Sequence, residues 1–254
     1  MTLKQKLNDI ANHLKANFPN GYKTRFAPSP TGYLHIGHIA SMMIIEKILR
    51  LSGGEIILRI EDHDQSRARA KYLTAITKDL TDLGFDFNNV SGVGDNAHID
   101  RQFIQSNNYR RYEKFVSNLS SNSLTYICSC SRKDIQERTY AENKTELFYD
   151  GFCGNKLHTE PLPIKGKSSL RFIVDDKYFH PANTDPFLER APYQNPTKQC
   201  GDIIIIDKAG NYSYQFAVVC DDIEEEIDVV IRGQDILSST ARQINLHQAL
   251  GSKK

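Results

Sequence analysis

The stretch Arg25-Phe26-Ala27-Pro28-Ser29-Pro30-Thr31-Gly32-Tyr33-Leu34-His35-Ile36-Gly37-His38 constrains this chain more than any other. Pro28 and Pro30 exclude a central strand and a helix interior, because proline donates no backbone hydrogen bond and fixes its own φ. Downstream, Ile39, Ala40, Met42, Met43, Ile45, Ile48 and Leu49 supply a buried helix that ends at Gly53-Gly54. A short apolar strand, a proline loop and a helix are therefore expected in that order, with the helix opening beside His35 and His38. A helix N-terminus offers unpaired N–H groups and a positive dipole end, and imidazoles beside it can donate to phosphate oxygens. Gly37 removes a side chain between them, so a base or ribose can lie against the backbone. The stretch reads as a nucleotide site; the bland reading is a solvated helix start.

Those residues resemble the first signature of class I aminoacyl-tRNA synthetases, in which His-Ile-Gly-His opens the helix under ATP. The Arg-Phe-Ala-Pro-Ser-Pro-Thr-Gly lead-in resembles the glutamyl/glutaminyl branch. The resemblance implies a ligase with a Rossmann-like α/β catalytic core. It also implies ATP with Mg²⁺ as substrate, bound by His35, Gly37 and His38, with His35 and His38 catalytic.

Glu55 to Ile60 reads as a buried strand after the signature helix, and a strand-helix-strand order favours a right-handed parallel unit. Open α/β sheets bind ligands at the carboxyl ends of such strands, where Glu61-Asp62-His63-Asp64 stands. Glu61 is expected to hold a cationic group, and Asp62 and Asp64 to cap a helix from Ser66 onward. Arg-Ile-Glu-Asp-His-Asp also resembles the family element whose glutamate contacts the substrate's amino group.

The remaining pattern is that of an ordinary globular chain of 254 residues with net charge +1, so any RNA contact must come from local patches. The longest purely aliphatic run, Ile203 to Ile206, is far short of the ~20 residues of a membrane helix. The first residues interleave Lys4, Lys6, Asp9 and Lys15 with apolar positions, so no signal-peptide core is present. A cytoplasmic monomer without membrane contact is expected. Leu3, Leu7, Ile10, Leu14 and Phe18 recur as an amphipathic helix over 1–20, a cap on the core.

Cys128, Cys130 and Cys153 suit a tetrahedral zinc site that needs a fourth ligand, for which Tyr149 and His158 are the candidates. Imidazole is the commoner zinc ligand. Cys-x-Cys followed by Tyr-x-x-x-Cys, however, resembles the zinc knuckle of glutamyl-queuosine tRNA(Asp) synthetases, in which the tyrosine ligates. That resemblance implies one structural Zn²⁺ on Cys128, Cys130, Tyr149 and Cys153, although the segment from Ser131 to Phe148 is longer than that family implies. Cys200 and Cys220 are expected to be buried small hydrophobes.

Further on, Leu170 to Val174 reads as a strand, Ile203–Ile206 and Tyr212–Val219 as a hairpin about Lys208-Ala209-Gly210-Asn211, and Val229-Val230-Ile231 as another strand. A helix follows from about Thr240 to Leu250. Free glutamate carries two carboxylates and one ammonium. Arg25 and Arg232 can each grip a carboxylate in bidentate fashion while Glu61 takes the ammonium. The elements around Tyr214 to Asp222 and Arg232 to Gln243 resemble the family's glutamate set, which implies Arg25, Phe26, Ala27, Pro28, Ser29, Glu61, Tyr214 and Arg232 as glutamate-binding residues.

The domains expected are a helical extension over 1–20, the first half of the catalytic domain over 21–127, the knuckle over 128–160, and the second half over 161–254. The chain is expected to stop before the family's second, lysine-containing ATP signature (KMSKS-like), since Lys253 and Lys254 come too early. The resemblance implies activation of glutamate and its transfer to queuosine in the anticodon of tRNA(Asp). Two alternatives stand beside it: a glutamyl-tRNA synthetase fragment charging tRNA(Glu), and a silent paralogue that binds glutamate or tRNA.

Overall fold

A computed structural model describes residues 2–139, 146–154, 162–179, 188 and 190–251. The chain divides into two compact units, Met1–Tyr109 with Asp221–Gln234, and Arg110–Cys220 with Asp235–Lys254.

In the first unit, helix α1 (Leu3–Asn17) opens with a capping box. Gln5 N–H donates to Thr2 Oγ1, and Thr2 N–H donates back to the Gln5 side chain, so two N–H groups at the helix start are satisfied. Leu14 of α1 packs with Tyr22 and Ile48, which makes the extension part of a core, as the apolar spacing implied. Strands β1 (Lys23–Phe26) and β2 (Glu55–Leu58) pair in parallel, Lys23 opposite Glu55 and Phe26 opposite Leu58. Parallel neighbours require a crossover, and α2 (Ile36–Ser52) supplies it. Ile56, Ile57 and Leu58 are all buried, so β2 reads as a continuous apolar run instead of an alternating one. Gly54 is required at the turn into β2, since a Cβ there would come within 2.9 Å of the Tyr22 carbonyl oxygen.

Helix α3 (Ala70–Asp82) begins four residues later than the sequence suggested. The Asp64 carboxylate accepts from both the N–H and the hydroxyl of Ser66, closing a local turn that competes with helix there. The short strands β3 (Val90–Ser91) and β4 (His98–Ile99) pair antiparallel. Beyond β2 the chain stays extended, and Ile60 bridges Ile104 in parallel. Phe26, Met42, Ile45, Ile56, Leu58, Ile60, Ile76 and Leu80 form the core beneath these elements.

The second unit contains α4 (Tyr109–Ser121, from Arg110 on) and an antiparallel sheet of β5 (Thr125–Cys128), β6 (Ser169–Phe172) and β7 (Ile203–Ile206), in that order. Helices α5 (Arg132–Thr139), α6 (Pro196–Gln199), α7 (Tyr214–Glu224) and α8 (Thr240–Ala249) complete it, except that the last turn of α7, from Asp221, belongs to the first unit.

Two expected strands are corrected. Tyr214–Val219 is the first part of helix α7. Phe216 to Cys220 are all buried, and a continuous apolar run of that length fits a buried helix as well as a buried strand, so periodicity could not decide. Of the hairpin there remain the Asp207–Gly210 turn, an Ile206–Tyr212 bridge and the Ser213 N–H donating to the Ile205 carbonyl, while the ladder partner of β7 is β6. Val229–Ile231 is not part of a ladder either. The N–H groups of Asp228 and Val229 both donate to the single carbonyl of Lys23, and the Thr24 hydroxyl donates to the Val229 carbonyl, which fixes the segment beside β1 without a backbone ladder.

Candidate active site

His35 is the N-cap of α2, and its Nδ1 accepts from Gly37 N–H at 3.1 Å. His38 Nδ1 accepts in turn from His35 N–H at 3.2 Å. The two rings lie 3.9 Å apart, centre to centre. With both Nδ1 atoms accepting, the neutral imidazoles carry their protons on Nε2, so each presents a donor pointing away from the cap. Burial, then the neighbouring His35, lowers the pKa of His38 and favours that neutral form. A Cβ on Gly37 would come within 3.0 Å of the His35 ring, so glycine here keeps the cap closed as well as leaving the helix end open. A depression of about 410 Å³ beside it is lined by Leu34, His35, Ile36, Ile39 and the acidic Asp79 and Asp82. A larger cavity in the second unit, about 520 Å³ and lined in part by Val116, Ile206 and Tyr212, contains none of the expected site residues.

Arg25, on β1, and Glu61, three residues past β2, are both buried. Glu61 N–H donates to the Pro28 carbonyl at 3.1 Å, which sets the carboxylate beside the Ala27-Pro28-Ser29 loop. What joins Arg25 to Glu61 is a residue that sequence reasoning left unassigned. Arg59 is 0% exposed, with Nη2 2.6 Å from Asp222 Oδ1 and Nε donating to Glu225 Oε2 at 2.8 Å. Asp222 Oδ1 also accepts from Arg25 Nε at 3.1 Å. Arg59 Nη1 and Glu61 Oε1 face each other across 3.7 Å, and neither has a hydrogen-bond partner.

Two guanidiniums thus share a buried neighbourhood with four carboxyls, those of Glu61, Asp221, Asp222 and Glu225. Burial pushes Asp222 up, but Arg25 and Arg59 outweigh it and hold the group below the usual carboxylate range. Burial of Glu61 is only partly offset by Arg59 and Arg25, and its carboxyl is pushed up to about 7. Gln105 also donates to Asp221 at 2.8 Å. A charge in a buried apolar strand was the available signal, since Arg59 directly follows Ile56-Ile57-Leu58.

Asp62 is no helix cap; it is buried and accepts from the N–H of Ser106 and from Gln65. Arg232 lies in the first unit, half-buried, three residues after the segment that hydrogen-bonds to Lys23. Tyr214, also half-buried, is the first residue of α7, in the second unit.

In the second unit the Sγ atoms of Cys128, Cys130 and Cys153 all lie within 4.8 Å of one another. The Tyr149 hydroxyl oxygen is 3.5 Å from Cys128 Sγ and accepts from Cys153 N–H at 2.9 Å. Three clustered thiols and the phenol oxygen beside Cys128 make a donor set that fits tetrahedral zinc. Arg171 lies 3.6 Å over the Tyr149 ring, and Arg138 Nη2 approaches Cys130 Sγ at 3.5 Å, so two cations accompany the thiols. Burial raises Cys128, but the Tyr149 hydroxyl and Arg171 bring it down to about 7. Gly201 is needed here, because a Cβ would meet the Tyr149 carbonyl oxygen at 1.9 Å and its φ is +68°. His158, the other candidate ligand, lies outside the described residues. Cys200 and Cys220 are buried as small hydrophobes.

Among the described residues no helix is long and apolar enough to cross a membrane. Residues 22–254 match the family described as tRNA synthetases class I (E and Q), catalytic domain. A glutamate–tRNA ligase of Alkalilimnicola ehrlichii is 34% identical over 236 residues, covering 90% of this chain and 46% of that protein. A glutamyl-Q tRNA(Asp) synthetase of Burkholderia mallei is 35% identical over 232 residues, covering 91% of this chain and 73% of that protein. The chain spans about half the length of the glutamate–tRNA ligases it matches. Among solved structures, a glutamate tRNA ligase from Elizabethkingia meningosepticum superposes with a TM-score of 0.72 at 23% identity, covering 91% of this chain and 47% of that one, a likeness of fold.

Proposed function

The chain belongs to the catalytic-domain family of the class I tRNA synthetases for glutamate and glutamine, and from that membership we propose that it activates glutamate with ATP and passes the glutamyl group to queuosine in the anticodon of tRNA(Asp). The observation that carries the amino-acid reading is the buried pairing of Arg25 and Glu61 on one charge network, with Glu61 Oε1 lacking a hydrogen-bond partner. Arg59 faces Glu61 at 3.7 Å without a hydrogen bond, so Glu61 Oε1 can take one more cation, which the ammonium of an amino acid supplies. Arg25 and Arg232 are the proposed partners of its two carboxylates.

In the proposed reaction an oxygen of glutamate's α-carboxylate attacks the α-phosphorus of ATP, and the bond to pyrophosphate breaks with its electron pair leaving on pyrophosphate. The Nε2–H groups of His35 and His38 donate to phosphate oxygens as negative charge shifts between them. Mg²⁺ accompanying ATP would neutralise phosphate charge. An RNA hydroxyl then attacks the acyl carbon of glutamyl-adenylate, losing its proton as AMP departs.

Queuosine as acceptor rests on the Tyr-x-x-x-Cys pattern, whose Tyr149 hydroxyl stands among the thiols, and on the likeness to a relative named glutamyl-Q tRNA(Asp) synthetase. Labelled glutamate is expected to enter tRNA(Asp) that carries queuosine and not tRNA(Asp) that lacks it. Label on the 3′ end of tRNA(Glu) instead would assign the chain to the glutamyl-tRNA synthetases, and label on neither would favour the silent paralogue.

The proposed zinc site has its own test. Purified protein is expected to contain about one zinc per chain, and Cys128→Ser to lower it below about half, since each thiolate is a large share of such a site's affinity. Tyr149→Phe is expected to weaken retention against a chelator more than His158→Ala does. The reverse order would make the imidazole the fourth ligand.

A further inference from the structure

We propose that Arg59, clamped by Asp222 and Glu225, is the positioning residue of the amino-acid subsite: it holds Glu61 as the acceptor for the substrate ammonium, and through Asp222 it fixes Arg25 for a substrate carboxylate. The inference rests on the glutamate reading above and deepens it.

The geometry is that of a hub. Arg59 spends Nε and Nη2 on Glu225 and Asp222, at 2.8 and 2.6 Å, and turns its remaining nitrogen, Nη1, toward Glu61. Asp222 Oδ1 accepts from Arg59 and Arg25 together, so neither arginine can swing without disturbing the other. The backbone agrees, since Arg59 N–H donates to the Phe26 carbonyl and Glu61 N–H to the Pro28 carbonyl, tying the hub to the proline loop. At 3.7 Å, Nη1 attracts the Glu61 carboxylate without occupying Oε1 in a hydrogen bond. An acceptor held in place yet left unsatisfied is what an incoming ammonium needs.

The charged groups that face Glu61 are Arg59 and Arg25, which favour its ionised form, and Asp221 and Asp222, which oppose it. Glu225 acts at one remove by competing for Arg59. Only ionised Glu61 binds an ammonium. Affinity for glutamate therefore rises with pH up to the midpoint of Glu61 and then levels, with one proton released on binding below it. The fraction of ligand-competent protein sets the apparent affinity.

The informative variant is Glu225→Gln, because the amide oxygen can still accept from Arg59 Nε while the competing charge is gone. Carbon-13 NMR of the glutamate side chains, with Glu61→Gln to assign the signal, reads the ionisation midpoint in ligand-free protein. The midpoint is expected to fall by about one unit in Glu225→Gln, and the KM for glutamate at pH 6 to improve about fivefold, with the KM for ATP unchanged. Arg59→Lys, which keeps one charge but cannot make three contacts, is expected to raise the glutamate KM about tenfold at pH 7 with kcat less affected. An unmoved midpoint in Glu225→Gln overturns the proposal, whatever Arg59→Lys does to folding. So does a midpoint that moves without the glutamate KM following it. A midpoint that moves in a protein that binds no glutamate supports the hub and overturns the glutamate reading instead.

Discussion

Replacing His38 by alanine is expected to slow glutamate-dependent ATP–pyrophosphate exchange about 10²–10³-fold, the usual cost of one donor aimed at charge that develops in the transition state. His38 already spends Nδ1 on the His35 N–H, so the atom left for the nucleotide is Nε2–H at the open end of α2. The substitution also removes half of the cap at that helix start, which costs about 1 kcal/mol of stability. The variant should therefore remain folded, with a modestly lower melting temperature and a glutamate affinity within about twofold of the parent. A loss in exchange smaller than about fivefold would reduce the two histidines to a helix cap.

Arg232→Ala is expected to weaken glutamate by roughly 2–5 kcal/mol, about 30-fold or more, and to leave ATP affinity nearly unchanged. Arg232 is half-buried, in the same unit as Arg25 and Glu61. An effect on glutamate below about threefold would put Arg232 outside the pocket.

How much of this was legible depends on what kind of signal each residue leaves. The α2 start was readable as lying beside His35 and His38, because two prolines, a glycine and an apolar period of 3.6 admit few backbones. The parallel pair β1–β2 was readable for a similar reason. Helix α7 was not: Phe216-Ala217-Val218-Val219-Cys220 is apolar on every side, so neither period marks it, and only tertiary burial decides. The thiols could be grouped by spacing and Tyr149 by the family resemblance, but the arginines beside them could not. Arg171 sits on β6 and Arg138 on α5, and no local pattern says that both turn toward one cluster. The buried hub is the extreme case. Arg59 stands out as a charge in an apolar strand, but Glu225, far from it in sequence, looks like an ordinary surface charge, and only the fold shows that the two are buried together.

That hub also explains why the Glu61 site is sensitive to single charges. Losing any one partner in this buried network exposes another to an uncompensated burial cost. Glu61, whose Oε1 lacks a hydrogen-bond partner and whose nearest Arg59 nitrogen is 3.7 Å away, absorbs the imbalance.

The most direct measurement of the central claim is ATP–pyrophosphate exchange with the free amino acid and no RNA present. The account predicts exchange that requires glutamate, is not supported by glutamine, and is lost in Glu61→Gln, because the buried carboxylate must meet an ammonium and an arginine must meet the side-chain carboxylate. Exchange that appears only when tRNA(Glu) is added would move the chain to the tRNA-charging branch. No exchange with glutamate under any condition, from folded protein, would contradict the claim that this site activates it.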